Sequence, residues 1–394
     1  MSAPSSPARG LGPGVTFVLA LACGALAANL YYAQPLVALM AADLGLPAGV
    51  ASSVVTVAQL GYALGLVFLV PLGDRLENRR LIAATMALDV VGLLGLALGR
   101  GPVSAFVAMA FVGLASSAAQ MIVPLAASLA PEHGRGRAVG NVMSGLLGGI
   151  LLARPLASFL AGPFGWRGVF LLSAGLVTGA LLVLWRVAPR RTPGGGEPYF
   201  ALIRSLGTLF VTEPVLRRRA LGHATMFGAF SLFWTASPIL LMRAPYDLSS
   251  SQVALFTLAG VLGVFAAPVA GRWADAGHTF VGTAVALASV VVSFAACGWG
   301  LPAVWVLAVA GAIIDAGVQV NLVLGQRAIY QLRPELRSRL NSVYMTVFFV
   351  GGAAGSALAS PLLESGGWLA VCVVGAAAPG SALAYHLWAR PSGD

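Results

Sequence analysis

The chain contains no lysine. All 23 of its basic residues are arginine, and only 9% of its 394 residues are charged at all. Cysteine occurs three times and histidine four times. Without lysine there is no Gly-x-x-x-x-Gly-Lys phosphate loop, so ATP hydrolysis on such a loop is excluded. Cys23, Cys297 and Cys372 fall inside apolar segments at unrelated positions. That spacing suits small packing residues, not a disulfide framework or a metal site. His133, His223, His278 and His386 are scattered, and no His-Glu-x-x-His or comparable motif is present. With no large loop to carry a nucleophile or an acid–base pair either, a membrane-embedded enzyme is disfavoured, and neither a metal nor a cofactor is expected. The scarcity of charge also excludes a soluble globule, in which roughly a quarter of residues are charged. Lipid must cover most of this surface.

Apolar length is what the chain has instead. Hydrophobic residues make up 58% of it and the mean hydropathy is +0.89. A membrane-spanning helix needs roughly 20 apolar residues. Twelve such segments can be read, near 14–40, 50–72, 81–99, 102–129, 138–161, 168–186, 218–242, 250–271, 279–299, 302–329, 340–362 and 368–389. In lipid they must be helices or a closed barrel, and the runs are too long and too continuous for alternating barrel strands. The expected fold is an all-α membrane protein of twelve transmembrane helices.

The net charge of +10 would suit nucleic acid, but its distribution does not. Arg75, Arg79, Arg80, Arg135, Arg137, Arg190, Arg191, Arg217, Arg218, Arg219, Arg333, Arg337 and Arg339 sit in loops on one side; the other side holds Arg100, Arg167 and Arg243. This is the positive-inside bias. It predicts both termini in the cytoplasm and a bacterial-type inner membrane, with lipid and not nucleic acid as the surrounding partner. The first segment is too long for a signal-peptide core, so no cleavage is expected.

The chain also repeats itself. Asp74 and Asp275 are 201 residues apart; Arg137 and Arg339, Trp166 and Trp368, and the pairs Tyr31-Tyr32 and Phe233-Trp234 are each 202 apart; Gly148-Gly149 and Gly351-Gly352 are 203 apart. Two copies of one membrane unit imply a machine with two halves and a site between them, the usual build of a transporter. The longest polar break, about Val187 to Arg219, divides six segments from six. This predicts an N-terminal bundle over 1–186, a linker over 187–217 and a C-terminal bundle over 218–394. Pro193-Gly194-Gly195-Gly196 reads as flexible. Beyond it Tyr199, Leu202, Ile203, Leu206, Leu209 and Phe210 share a helical face, as in a short helix lying at the membrane surface.

The loop after the second segment, Val70-Pro71-Leu72-Gly73-Asp74-Arg75-Leu76-Glu77-Asn78-Arg79-Arg80, resembles the Gly-x-x-x-Asp-Arg-x-Gly-x-Arg-Arg signature of the major facilitator superfamily. Val70 and Glu77 replace the two family glycines. The second-half copy keeps Gly271 and Asp275 but has Ala276 where a basic residue is common. With twelve segments and the repeat, the resemblance covers essentially the whole chain. It implies two pseudo-symmetric six-helix bundles, a central cavity lined by segments 1, 4, 7 and 10, and alternating access. Asp74, Arg75, Arg79, Arg80 and Asp275 would belong to the cytoplasmic gate; a carboxylate at a helix N-terminus is favoured by about 0.3–1 kcal/mol. Within the superfamily the chain looks most like the bacterial drug and sugar efflux branch. It departs from that branch in lacking a basic residue in segment 4, where Met109 stands before Gly113, and in having Arg154 before Pro155 where the branch has glycine.

Charges within hydrocarbon are costly and mark function or pairing. Asp89 lies halfway along segment 3, Arg154 in the outer half of segment 5 and Asp315 near the middle of segment 10. Gln319 and Gln326 follow Asp315 on the same helical face. A carboxylic acid in an apolar cavity can load and release a proton near neutrality, which makes Asp315 the leading proton-coupling candidate, beside a permanently paired structural role. Asp89, on a peripheral segment, reads more readily as structural. Arg154 keeps its proton and is expected to neutralise Asp89 or Asp315, with contact to an anionic part of the substrate as the alternative; pairing with Asp315 would cross between the halves. The repeat-related positions of these three hold Val290, Ser356 and Leu114, so the charges are where chemistry particular to this chain is expected.

Aromatic and sparse polar residues supply the candidate substrate wall: Asn29 and Tyr32 in segment 1, Phe227, Phe230, Ser231 and Trp234 in segment 7, with Ser116, Ser117 and Gln120 in segment 4. Small-molecule pockets are commonly apolar with few polar groups. Pro35, Pro124, Pro155, Pro238 and Pro268 offer bends for rocking. The sequence thus reads as a monomeric secondary transporter, a proton-coupled exporter of small hydrophobic or amphipathic organic compounds. An importer of a small metabolite and a non-transporting membrane sensor stay open beside it.

Overall fold

Proline decides where the first membrane segment bends. Pro35 cannot donate to the carbonyl four residues back, and its ring crowds that turn. In the computed structural model of the chain, which describes residues 12–130, 134–190, 197–300, 302–333 and 336–389, α1 (Pro13–Asn29) stops there and α2 (Ala33–Leu44) continues at 46° to it. The helices that follow are α3 (Ser53–Phe68), α4 (Asn78–Leu98), α5 (Pro102–Ser116), α6 (Ala119–Leu129) and α7 (Arg135–Val187). After them come α8 (Tyr199–Thr212), α9 (Pro214–Leu241), α10 (Ser250–Leu258), α11 (Ala266–Asp275), α12 (Thr279–Cys297), α13 (Val304–Tyr330) and α14 (Arg337–Trp388). No strand occurs among the described residues.

Among the described residues, nine helical stretches are long and apolar enough to cross a membrane, and the bent α1–α2 pair makes a tenth. Two of these, α7 with 53 residues and α14 with 52, are each two spans in one. Each folds back at a single left-handed glycine, Gly165 with φ 66° and Gly367 with φ 63°. Only glycine adopts that backbone without strain. Counted so, the membrane is crossed twelve times. Both glycines precede a repeat-related tryptophan: Trp166 donates to Asp43 at 3.2 Å, and Trp368 donates to the Cys297 carbonyl at 3.1 Å.

In lipid there is no hydrophobic force to press helices together, so small residues that let backbones touch set the packing. A Cβ on Gly145 or Gly149 of α7 would collide with the carbonyls of Ala20 or Gly24 in α1. A Cβ on Gly351 or Gly355 of α14 would collide with Ala224 or Gly228 in α9. The two halves therefore use one Gly-x-x-x-Gly device, joining segment 1 to 5 and segment 7 to 11. The structural equivalence is Gly145/Gly149 with Gly351/Gly355, and not the 148–149 and 351–352 pairing read from the sequence. Gly148 has nothing within reach of an added Cβ.

Pro268 follows a stretch of 3-10 helix, Ala259–Phe265, that interrupts segment 8 between α10 and α11. Pro124, Pro155 and Pro238 stay inside helices. The amphipathic helix of the linker forms as α8, with Leu202, Leu206 and Leu209 buried against α14, α9 and α3. The glycine-rich 193–196 stretch and His133 lie outside the described residues.

Candidate functional site

Segments 5 and 10 bring the unrepeated charges together. Arg154 of α7 donates from Nη2 to Oδ2 of Asp315 in α13 at 2.8 Å, and the two side chains are 2% and 5% exposed. Trp234 of α9 donates from Nε1 to the other carboxylate oxygen at 2.7 Å. The Arg154 guanidinium lies 4.0 Å from the Trp234 ring centroid and 5.1 Å from that of Phe230, so aromatic faces replace part of its lost hydration. Removing either charge would strand the other in a dry site, which is costly. Nε and Nη1 of Arg154 find no hydrogen-bond partner among the described residues. Gly260 and Gly263 of the 3-10 stretch make the room: a Cβ on either would press into Asp315.

The pair forms part of the wall of a central cavity of about 120 Å³. Among the residues expected to face substrate, Gln120, Phe227, Phe230, Gln319 and Gln326 line it. Tyr31, Tyr62, Phe348 and Phe349 line it too, and the sequence reading missed them. Phe227 stacks on Phe348 with centroids 3.7 Å apart, and Tyr62 packs on Phe349 at 4.3 Å. Gln120 donates to the Tyr62 hydroxyl at 3.0 Å, and Gln326 to Asn341 at 3.1 Å.

Four candidates do not line it: Trp234 stands behind Asp315, to which it donates, and three others sit elsewhere. Asn29 turns into its own bundle, where its amide donates to Asp89 at 2.6 Å and its oxygen accepts from Ser173 at 2.5 Å. Tyr32 follows it there and meets Phe170 edge-on at 6.5 Å. The reason is polar satisfaction: a buried carboxylate on α4 needs donors, and segment 1 presents its polar face to it, leaving Ala27, Leu30 and Tyr31 toward the cavity. Ser231 is held between the halves by Gln59 of α3, which donates to it at 2.8 Å. Arg154 does not meet Asp89, which has no cationic partner within 4 Å among the described residues.

Contacts between the halves flank the cavity toward both ends. At one end the Ser52 amide donates to Ser360 Oγ at 3.0 Å and the Ser360 amide to Ser52 Oγ at 3.2 Å. Thr56 and Ser356 pair at 3.0 Å one turn further in. At the Arg-rich end, Asp74 shares a crevice with Ser338 and Arg339 of the other half. Glu197, just before α8, accepts Arg75 on its carbonyl at 3.3 Å and Arg339 on its carboxylate at 3.1 Å, so one linker residue holds both halves. Arg79 donates to the Ala188 carbonyl at 3.3 Å and lies over Trp185. Arg80 pairs with Glu77 at 3.4 Å, and Glu77 also caps α4 by accepting the Arg79 amide. Asp275 pairs with Arg327 of its own half and reaches no group across the boundary among the contacts of the described residues.

A sequence profile of the Major Facilitator Superfamily matches residues 17–275 and, separately, 219–393. The chain is 40% identical over 372 residues, 94% of each chain, to the putative uncharacterized transporter YgaY of Escherichia coli (strain K12). It is 26% identical over 220 residues, 55% of this chain and 54% of the other, to the purine ribonucleoside efflux pump NepI of Salmonella typhimurium. Among solved structures, a POT family transporter in complex with 5-aminolevulinic acid superposes with a TM-score of 0.77 at 15% identity, over 97% of this chain and 98% of that one.

Proposed function

The chain belongs to the Major Facilitator Superfamily, a multi-pass membrane transporter and not an enzyme, and from that premise we propose that it is a proton-coupled exporter of small apolar or amphipathic organic compounds. The observation that carries the reading is the Arg154–Asp315 pair, buried and shared between the halves. Rocking of the halves lengthens that contact. A carboxylate left without its guanidinium in a dry cavity is poorly tolerated, and a proton relieves it. Asp315 then cycles between a paired, charged state and a separated, protonated one. Release of Arg154 at the same moment frees a cation for substrate.

The cavity of about 120 Å³ is below the ~300–1,000 Å³ of a typical ligand site, so it fits an occluded, empty state that widens on loading. Stacked phenylalanines beside the amides of Gln120, Gln319 and Gln326 suit a flat heteroaromatic with hydrogen-bonding edges. NepI, by its name, exports purine ribonucleosides, so nucleosides belong in the first panel. We place both termini in the cytoplasm of a bacterial inner membrane, since the arginines gather on that side. The halves we take as 1–186 and 218–394, acting as a monomer, with Asp74, Arg75 and Arg339 at the cytoplasmic closure.

The test is substrate-dependent proton flux in proteoliposomes across a panel of nucleosides and lipophilic amines. Flux that depends on compound and disappears in Asp315→Asn supports the reading. Unchanged flux in Asp315→Asn overturns the coupling role, and no flux with any compound overturns the exporter reading.

A further inference from the structure

A concavity of the C-terminal half lies outside the transport cavity. It encloses about 560 Å³ between α9, α12, α13 and the end of α14, at the Arg-rich face. Three consecutive arginines, Arg217, Arg218 and Arg219, line it together with His386, and no acidic residue does so among the described lining. Other arginines of the chain are paired. Arg154, Arg167, Arg243, Arg327, Arg333 and Arg339 each have a carboxylate partner. In the crevice Arg217 donates to the Val211 carbonyl at 2.7 Å and Arg219 to the Thr283 hydroxyl at 2.7 Å. Arg218 has no ion pair or hydrogen bond among the described residues. His386 donates from Nε2 to the Phe280 carbonyl at 3.0 Å, and its ring stacks on Phe280.

Three like charges in one concavity repel unless an anion joins them, and the described lining supplies none. The rest of the lining says where the anion comes from. Val215, Leu221, Leu287 and Ala382 make the crevice apolar beside the guanidinium groups. At its rim Leu221 and Tyr385 are 49% and 51% exposed, and Trp388, one turn beyond, is 82% exposed. Exposed tryptophan and tyrosine mark the headgroup level of a bilayer, and basic pockets between transmembrane helices take anionic headgroups. A free anion would meet the charges but would leave the apolar wall uncovered.

We propose that this crevice binds an anionic phospholipid of the adjacent leaflet, its phosphate on Arg217–Arg219 and its glycerol and upper acyl chain against Leu221 and Leu287. α9 also carries Phe227 and Phe230 of the transport cavity, so the lipid sits on the base of a helix that lines it.

The test is native mass spectrometry of the full-length protein in detergent, titrated with phosphatidylglycerol or with phosphatidylcholine of the same acyl chains. Phosphatidylglycerol adducts are expected to survive activation that strips phosphatidylcholine. Arg217→Gln/Arg218→Gln is expected to weaken phosphatidylglycerol retention about thirtyfold and to leave phosphatidylcholine unchanged. Arg190→Gln, an exposed charge outside the crevice, leaves both unchanged. Arg218→Gln alone, which removes no ion pair or hydrogen bond among the described residues, carries the same test with a loss of several-fold if the double variant does not give a monodisperse peak. Equal retention of the two lipids, or undiminished retention by the variants, overturns the proposal. Displacement of bound phosphatidylglycerol by inorganic phosphate overturns it in favour of a soluble anion.

Discussion

Arg154 and Asp315, 161 residues apart in sequence, meet at 2.8 Å with no solvent between them. Such a pair is better intact or absent than halved. Arg154→Met and Asp315→Leu are each expected to destabilise the protein by about 3–5 kcal/mol, while the double substitution recovers a large part of the loss. Thermal unfolding in detergent, run as a double-mutant cycle, checks this. Additive losses would show that the two side chains do not depend on one another.

Gly165 and Gly367 invite a second measurement. Alanine at either position must take a positive-φ, extended-ψ backbone that is essentially glycine's alone, costing about 1–3 kcal/mol. Gly175 lies in regular helix with open space beside it, so Gly175→Ala is expected to stabilise by about 0.5–1 kcal/mol. Opposite shifts in unfolding temperature for Gly165→Ala and Gly175→Ala are the expected result. Equal shifts would contradict the bend.

The Ser52–Ser360 contact predicts a lock. With the three native cysteines replaced by serine or alanine, Ser52→Cys/Ser360→Cys is expected to crosslink on oxidation, stop transport, and recover with reductant. Transport that persists through quantitative crosslinking would mean this end stays shut throughout the cycle.

Glu197 holds Arg339 in a pair whose side chains are 55% and 25% exposed. Such a pair contributes little stability, about 0–1 kcal/mol. Glu197→Gln is therefore expected to leave the unfolding temperature nearly unchanged, yet to raise the labelling rate of a cysteine placed by Ser338→Cys. An unchanged labelling rate would remove Glu197 from the closure.

The Asn29–Asp89 bond gives a fifth expectation. Asp89→Asn preserves shape and is expected to be mild. Asp89→Leu leaves the Asn29 amide without its acceptor and is expected to cost about 1–3 kcal/mol, read from the same unfolding curves.

What was legible in the sequence followed from periodicity. The spans, the stripe of Asp315, Gln319 and Gln326, and the face of α8 are each a matter of spacing along one helix. What spacing cannot give is which neighbour a face meets. Asn29 and Tyr32 share a face as read, but that face turns to Asp89 and Phe170, because a buried carboxylate outcompetes an apolar cavity for donors. The pairing of Arg154 with Asp315 and not Asp89 was open for the same reason. Glu197 carried no signal, being a lone acid beside a glycine-rich stretch. The Gly-x-x-x-Gly pairs were readable as Gly145/Gly149 and Gly351/Gly355, and the adjacent Gly148-Gly149 match concealed them.

The breaks in the cavity helices fall unevenly. Segments 1 and 4 are interrupted at 30–32 and at 117–118, whereas α9 and α13, which occupy the same places in the other half, run unbroken for 28 and 27 residues. A duplicated frame has thus acquired two broken and two continuous cavity helices, while the C-terminal half keeps its own break, the 3-10 stretch Ala259–Phe265, on the neighbouring segment that packs on Asp315. Bending where helix hydrogen bonds are already missing would then fall within the cavity helices of one half and beside them in the other.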